Sequence, residues 1–447
     1  MTTISGKGTF ARGVHPADQK GLCAESPVEV LAIPSSVSLP LLQHIGAPCE
    51  SLVKPKQEVS VGELVGKPTG FVSAAVHASI KGTAGLPGVT TLPNGRHVKT
   101  VLITAAADQP LSGRALWDDV YGGQWPRVIP QMDPAAIAKA VQDAGLVGMG
   151  GAAFPTHVKL ARNPSRPVDT LLVNGCECEP YLTADYRLMV EAPGPIVAGA
   201  ILAAQAAGAT TVLIAVEDNK PEAVEALRQA AEGTIVQVVV LKTKYPQGGE
   251  RQIVPAALNR EIPTGGLPLD VGVVVMNVAT AAATARAVLR GKPMTHRIVS
   301  VTGAGVRTPK NLLVPIGASY RNLIDACGGL TEDAARVVSG GPMMGFALAD
   351  LDVPVTKGTS GVTVLTADDL DRSKETPCVR CGRCVDVCPL KLVPTRLALA
   401  ARNKDWDLAR KYHIQACCEC GCCGYICPAR IPLVQLIRMG KVQMGKE

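Results

Sequence analysis

The sequence predicts a multidomain α/β protein organised around a doubly wound parallel sheet, with an all-β unit before it, a second β unit after it and a cysteine-rich helical end. Three observations predict this. The apolar runs "TLLVNG", "TVLIAVE", "TIVQVVVL" and "VGVVVMN" alternate with helical stretches from about Asp133 to residue 295, the pattern of parallel strands covered by helices on both faces. Residues 29–105 and 296–350 carry short alternating runs broken by Gly and Pro, with no helical period. The cysteines concentrate after Pro377, in two tight runs.

Composition sets the class. Of 447 residues, 47% are hydrophobic and 19% charged, so the chain can bury several cores and does not read as disordered. A formal charge of +7, spread along the chain, gives no support for nucleic-acid reading. The start "MTTISGKGTFARG" has neither an apolar core nor a cleavage pattern, so it does not read as an export signal. Without one, clustered cysteines point to metal or redox work rather than to a disulfide framework. Residues 192–216 carry no charge and are long enough to cross a bilayer. Pro193, Pro195, Gln205 and Gly208 fit better a small-residue helix, a turn and the strand "TVLIAV". Membrane contact is therefore expected to be peripheral.

In chain order, residues 1–28 read as an extended N-terminal arm. Residues 29–105 contain the paired phrases "VSVGELVGKP" and "AAVHASIKGT", which look like the halves of a biotinyl/lipoyl-type barrel-sandwich. The hairpin that would bear the modified lysine is "TGFVSAAV", with none, so the unit is expected to dock rather than to carry. Residues 125–295 hold the α/β domain. Its "DPAAIAKAVQDAG" has a capping Asp133, Pro134 at the first helical position and Gly145 as a stop. A β unit over 296–350 and a charged linker over 351–372 lead to the cysteine domain, 373–447.

"CVRCGRCVDVCP" sets Cys378, Cys381, Cys384 and Cys388 in the C-x-x-C-x-x-C-x-x-x-C-P run of bacterial ferredoxins, whose fourth cysteine serves the other cluster of a pair. In "CCECGCCGYICP" one register alone repeats that spacing: Cys417, Cys420, Cys423 and Cys427. The runs imply two [4Fe–4S] clusters, one held by Cys378, Cys381, Cys384 and Cys427, the other by Cys417, Cys420, Cys423 and Cys388. Zinc also takes four thiolates, but two complete runs, each closed by Cys-Pro, favour clusters. Cys418 and Cys422 are expected to pack beside them.

"GLVGMGGAAFPTHVKL" resembles a dinucleotide fingerprint but follows a helix and breaks the G-x-G-x-x-G spacing. Pro155 can open a helix after it, Lys159 adds a charge one turn in, and Phe154 can stack on a flat ring. Asn174 ends a buried strand and precedes Glu177 and Glu179. "YPQGGERQ" and "VVVMNVATAAA" supply two more strand-end loops, and ligands of doubly wound sheets bind at such ends. Cys176 and Cys178 read as site-lining or structural. No Ser/His/Asp or paired-His constellation accompanies these loops, and His157 reads as a helix-surface residue.

The phrases "RGVHPADQK", "GMGGAAFPTHVKL", "NGCECEPYLTADYRLM", "YPQGGERQ", "SGGPMMG" and both cysteine runs, in one order, resemble the C subunits of Rnf electron-transport complexes. The central domain is similar to the NADH-binding flavin subunit of respiratory complex I. The resemblance implies FMN at the strand ends, contacted by Gly148, Gly150, Gly151, Lys159, Asn174, Glu177, Tyr245, Gly248, Asn277 and Thr280. It implies NADH held by Phe154, Glu179 and Glu250. It also implies a β-grasp fold for 296–350, catalysis by positioning alone, and a peripheral place on the cytoplasmic face of a bacterial inner membrane. Partners would be the other subunits of the complex, with a ferredoxin-like iron–sulfur protein among them. Two alternatives are a soluble flavin-dependent corrinoid reductase, disfavoured because the barrel-sandwich comes first, and a cluster-carrying adaptor that binds no nucleotide.

Overall fold

The computed structural model describes residues 6–445. Its centre is a four-stranded, wholly parallel sheet in the spatial order Val236–Leu241, Thr211–Glu217, Thr170–Asn174, Val273–Asn277. The chain winds outward through the first three strands and then crosses to the far side of the first. That reversal places a crevice between the carboxyl ends of Thr170–Asn174 and Val273–Asn277.

Helices cover both faces. Pro193–Ala207 and Val278–Arg290 pack against one face, and Glu250–Leu258 seals the other over Leu172, Leu213 and Val239. The first two helices meet at Gly199, where an added Cβ would lie 1.7 Å from the Ala281 carbonyl oxygen. Only glycine permits that approach. The uncharged stretch 192–216 is thus a buried core helix, a left-handed Gly208 cap and a core strand, as its turn residues suggest. No single helix among the described residues is long and apolar enough to cross a membrane. One helix pair, Ala184–Glu191 with Pro193–Ala207, passes together but is bent by 96°.

Asp133 caps the helix Pro134–Asp143 by accepting from the Ala135 amide. Residues 36–105 form the two small sheets of a barrel-sandwich. The hairpin lacking a lysine packs on the central domain: the Phe71 ring meets His157 edge-on, and the Phe71 carbonyl lies 3.0 Å from His157 Nε2. His157 is therefore a buried interdomain residue, not a helix-surface one. The signal was invisible in sequence because the partner lies in another domain.

Two boundaries also move. Val28–Val30 pairs in parallel with Lys310–Pro315, so the end of the arm and the first residues assigned to the barrel-sandwich join the second β unit. The charged segment expected to be a linker contains the strand Gly361–Thr366. That strand sits mid-sheet, parallel to His296–Thr302 and antiparallel to Ala334–Ser339. Its short apolar run "VTVLT" was masked by the charges that follow it.

The cysteine-rich end is a structural repeat. Each half has a positive-φ residue in the cysteine loop (Arg380, Glu419), a left-handed glycine before a short helix (Gly382, Gly421), a positive-φ cation (Lys391, Arg430) and a longer helix. Those longer helices, Pro394–Asn403 and Leu433–Met444, pack together through Leu397, Ala401 and Ile437. The apolar "IPLVQLIRMG" thus closes the cysteine domain.

Candidate functional site

The crevice is bounded by two asparagines that face each other in strand register, Asn174 and Asn277. Asn277 is nearly buried and fully engaged. Its Oδ1 accepts from the Ala279 and Thr280 amides, capping the helix Val278–Arg290, and its Nδ2 donates to Asp185 Oδ2 at 2.6 Å. Thr280 Oγ1 accepts from the Met149 amide at 3.0 Å, which pins the glycine loop to this helix. A Cβ on Gly150 would fall 2.8 Å from Asn277 Nδ2, whereas one on Gly151 would meet nothing within 4 Å. One side of the loop is therefore packed and the other open. Gly148 donates to the Phe154 carbonyl at 2.8 Å, closing the turn around the half-buried Phe154.

Opposite, Asn174 Nδ2 donates to the Gly248 carbonyl at 2.8 Å, and the Gly248 amide donates to Cys178 Sγ at 3.3 Å. Gly248 thus fastens two strand-end loops together. Lys159 Nζ lies 2.7 Å from Glu250 Oε1 and donates to the Val275 carbonyl at 3.2 Å. The sequence assigned these two side chains to different ligands; the fold pairs them, half-exposed, at the lip of the crevice.

The acidic loop is held from two sides by buried lysines. Lys20 Nζ, from the arm, donates to the carbonyls of Glu177, Glu179 and Leu182 at 2.9, 2.9 and 2.6 Å. Burial lowers its pKa. Lys220 Nζ reaches the Cys176 carbonyl at 2.6 Å and pairs with Glu217. Cys176 is packed in the core and Cys178 sits against Gly248, so both are structural.

Three assigned residues face elsewhere. Glu177 caps the helix Ala184–Glu191, accepting from the Asp185 and Tyr186 amides at 2.7 and 3.0 Å. Glu179 accepts from the Met343 and Met344 amides at 3.2 and 2.8 Å, and burial pushes it up to about 7. Tyr245 is buried and donates from its hydroxyl to the Cys420 carbonyl at 2.6 Å. A carboxylate that finds paired amides, and a phenol that finds a buried carbonyl, is satisfied without a ligand.

Asp185, which no sequence pattern singled out, faces Asn277. Burial and the nearby Glu177 push its carboxyl above the usual carboxylate range. Its only signal was its position inside "YLTADYR".

The cysteine domain is seated on this site. Cys420 and Cys422 pack with Val14 and Tyr245, beside Cys178 and Met343. A Cβ on Gly421 would lie 2.6 Å from the Met343 carbonyl oxygen. Arg438 donates to the Met344 carbonyl at 3.0 Å and pairs with Glu419 at 2.9 Å. A continuous link therefore runs from Glu179 through the Met343–Met344 turn and Arg438 to the second cysteine loop.

Among the described residues, no three His, Cys, Asp or Glu side chains are close enough to hold a single metal ion. Six cysteines, Cys388, Cys417, Cys418, Cys420, Cys422 and Cys423, instead stand around a shared, otherwise largely apolar cavity. Cys388, Cys417, Cys420 and Cys423, the four thiols that the spacing groups together, are among them, and so are Cys418 and Cys422. Cys384 and Cys427 lie in a cluster of buried residues that also includes Cys423, while Cys378 and Cys381 are exposed.

Residues 8–108 match the RnfC barrel sandwich hybrid domain, 141–286 the Nuo51 FMN-binding domain and 298–347 the SLBB domain. The chain is 42% identical over 435 residues to the C subunit of the Na(+)-translocating ferredoxin:NAD(+) oxidoreductase complex of Acetobacterium woodii, covering 97% of this chain and 96% of that one. This chain belongs to the RnfC family, the C subunits of ion-translocating oxidoreductase complexes. Its relatives in that family include the C subunit of the proton-translocating ferredoxin:NAD(+) oxidoreductase complex of Clostridium ljungdahlii, 43% identical over 90% of this chain and 86% of that one. The C subunit of the ion-translocating oxidoreductase complex of Rhodobacter capsulatus is 41% identical over 97% and 83%. Among solved structures, a chain of NAD+-reducing [NiFe]-hydrogenase in the H2-reduced state superposes with a TM-score of 0.51 at 22% identity. That match covers 70% of this RnfC-family chain and 61% of the hydrogenase chain, and it shows a shared fold.

Proposed function

We propose that this chain exchanges electrons between NAD(H), one FMN and two [4Fe–4S] clusters, as the peripheral nucleotide-handling subunit of a membrane-bound, ion-translocating ferredoxin:NAD+ oxidoreductase. Its place would be the cytoplasmic face of a bacterial inner membrane. One observation carries this reading. The strand-end loops of the Nuo51-type domain and the cavity lined by six cysteines, Cys388, Cys417, Cys420 and Cys423 among them, meet directly, through the Tyr245 hydroxyl on the Cys420 carbonyl.

The residues suit these groups. The open side of Gly151, the exposed Gly150–Gly151 stretch and the ammonium of Lys159 form a lip able to receive a flat, phosphorylated ring system. Bound FMN would supply the conversion between a hydride's two electrons and single-electron carriers. Asn277 and Thr280 hold the glycine loop in place, and Asn174 with Gly248 holds the opposite wall. Lys159 would share its charge between Glu250 and an incoming phosphate. Phe154, half-buried on the loop, is placed to stack on a ring. No side chain here needs to abstract a proton, so the protein's contribution is positioning. In the cysteine domain, Cys417, Cys420, Cys423 and Cys388 would hold the cluster seated against Tyr245. Cys378, Cys381, Cys384 and Cys427 would hold the outer one.

Anaerobic purification followed by flavin extraction and iron and sulfide counts tests the reading. Two cubanes and one FMN per chain, with the flavin bleached by NADH, are expected. Recovery of clusters without flavin would sink it. Cys427→Ser is expected to damage the outer cluster, while Cys422→Ala leaves the EPR signals of both intact.

A further inference from the structure

The second cysteine loop holds two thiols more than the ligand spacing uses. In the structural repeat, Cys418 and Cys422 stand where the first loop has Val379 and Arg383. Both of those are exposed, so the loop fold itself requires no thiol at either place. Cys422 is fully buried, Cys418 half-buried, and both line the six-cysteine cavity. A buried cysteine commonly serves as a small packing residue, but the placement here is more particular. Thiol–thiol hydrogen bonds join Cys418 to Cys420 and Cys420 to Cys422. All three pack in one cluster with Val14 and Tyr245. The other three thiols grouped by the spacing are bonded differently. Cys388 Sγ accepts from the Leu392 amide and Cys417 Sγ from the Glu419 amide, each at 3.4 Å, and Cys423 takes the Gly424 amide. Cys420 is thus flanked by sulfur on both sides, and its own carbonyl is the one that the Tyr245 hydroxyl ties to the central domain.

We infer that Cys418 and Cys422 form a reserve metal-ligand site, either of them able to replace Cys420 as a thiolate ligand of the second cluster. This site, which rests on the cluster reading above, adds ligands that the spacing does not assign. Iron–sulfur clusters select soft thiolates, so only another cysteine can stand in for a lost one at comparable strength. A thiol already within hydrogen-bonding distance of the one it replaces needs a side-chain rotation rather than a refolded loop. Little holds Cys422 back, because its remaining polar contact is a long one, 4.0 Å from Sγ to the Tyr245 carbonyl. The exchange balances. One Fe–S bond to Cys420 breaks, one to the entering sulfur forms, and the entering thiol's proton passes to the departing thiolate. No electron is transferred. In a chain lacking the Cys420 thiol, that proton goes to solvent as the cluster is assembled.

The test uses the full chain, purified anaerobically, with iron and sulfide counts and EPR as readouts. Cys420→Ala should keep about eight irons per chain, as wild type does, with the EPR signal of the second cluster shifted but present. Cys417→Ala and Cys423→Ala, which lack a flanking thiol pair, should lose the iron of that cluster. Cys418→Ala, Cys420→Ala and Cys422→Ala combined in one chain should lose it too. A second measurement leaves every ligand assigned by the spacing in place and decides the matter if Cys420→Ala does not fold. Cys418→Ala with Cys422→Ala should release iron to a chelator faster than wild type under the same limited exposure to air. Wild type without two clusters overturns the proposed function. Two clusters in wild type, with Cys420→Ala losing as much iron as Cys417→Ala, overturn the reserve site alone. Retention of the second cluster by the triple variant, or iron release from the double variant at the wild-type rate, overturns it equally.

Discussion

Tyr245→Phe removes one oxygen atom from the seam between the central domain and the second cysteine loop. The hydroxyl donates to the Cys420 carbonyl at 2.6 Å, and both residues are buried, Tyr245 at 2% and Cys420 at 9% exposure. Phenylalanine fills the same space, so packing is conserved and the Cys420 carbonyl alone is stranded. Leaving a buried acceptor unsatisfied costs about 1–3 kcal/mol, equivalent to about 5- to 150-fold in a local opening equilibrium. The loss is local, so it belongs to the opening of the 417–427 loop rather than to the global transition. Hydrogen exchange followed by mass spectrometry should show faster exchange over that loop by this factor, with flavin content unchanged. The reasoning fails if exchange there is unaltered. It also fails if flavin is lost while the loop stays protected, because Tyr245 would then be acting on the flavin, as the family resemblance implies.

Four other outcomes follow from the same geometry. Asn277→Ala deletes the cap of the helix Val278–Arg290 and strands Asp185, so it should destabilise by about 1–2 kcal/mol; Asn277→Ser should recover part of this, and equal melting of the two variants would refute the capping role. Lys159→Ala should weaken FMN retention about tenfold, the worth of one charge-assisted hydrogen bond, while Glu250→Gln, breaking a half-exposed pair, should change stability by less than about 1 kcal/mol; unchanged flavin affinity in Lys159→Ala would remove that residue from the site. Lys357 is buried, donates to the Ala75 and Gly145 carbonyls at 2.5 and 2.6 Å, and is pushed down to about 8 by burial. The folded chain thus releases this proton more readily than the unfolded one, so its burial penalty is full below pH 8 and is relieved as pH rises toward 10.5; the melting temperature of wild type relative to Lys357→Met should climb across that window, and parallel pH profiles would refute it. Glu179→Gln tests the opposite sign. Glu179 is raised from 4.5 to about 7, so its contribution is full below pH 4.5 and is lost as pH rises through 7; wild type should lose stability relative to the glutamine variant across that range, and the absence of any difference would place the carboxylate in solvent.

The sequence by itself determined the elements whose cause is local. Strand and helix alternation follows from hydrophobic period, the Pro134 helix start from its cap, and the nearness of Cys388 to Cys417, Cys420 and Cys423 was expected from the repeated spacing of the two runs. The glycine loop was legible as a candidate site because glycines before a proline-opened helix are a local pattern. The tertiary structure alone decided where polar side chains spend their hydrogen bonds. Glu179, Tyr245 and His157 sit in or beside site motifs, yet each is claimed by a partner from a distant segment: Met343 and Met344, Cys420, and Phe71. Likewise, the strand Gly361–Thr366 is stabilised by neighbours on both sides rather than by its own short apolar run. A side chain's type fixes what it can bond to. Which partner satisfies it depends on contacts between segments far apart in the chain, and in this protein those contacts turn several site-motif residues into the seam between the crevice and the cysteine domain.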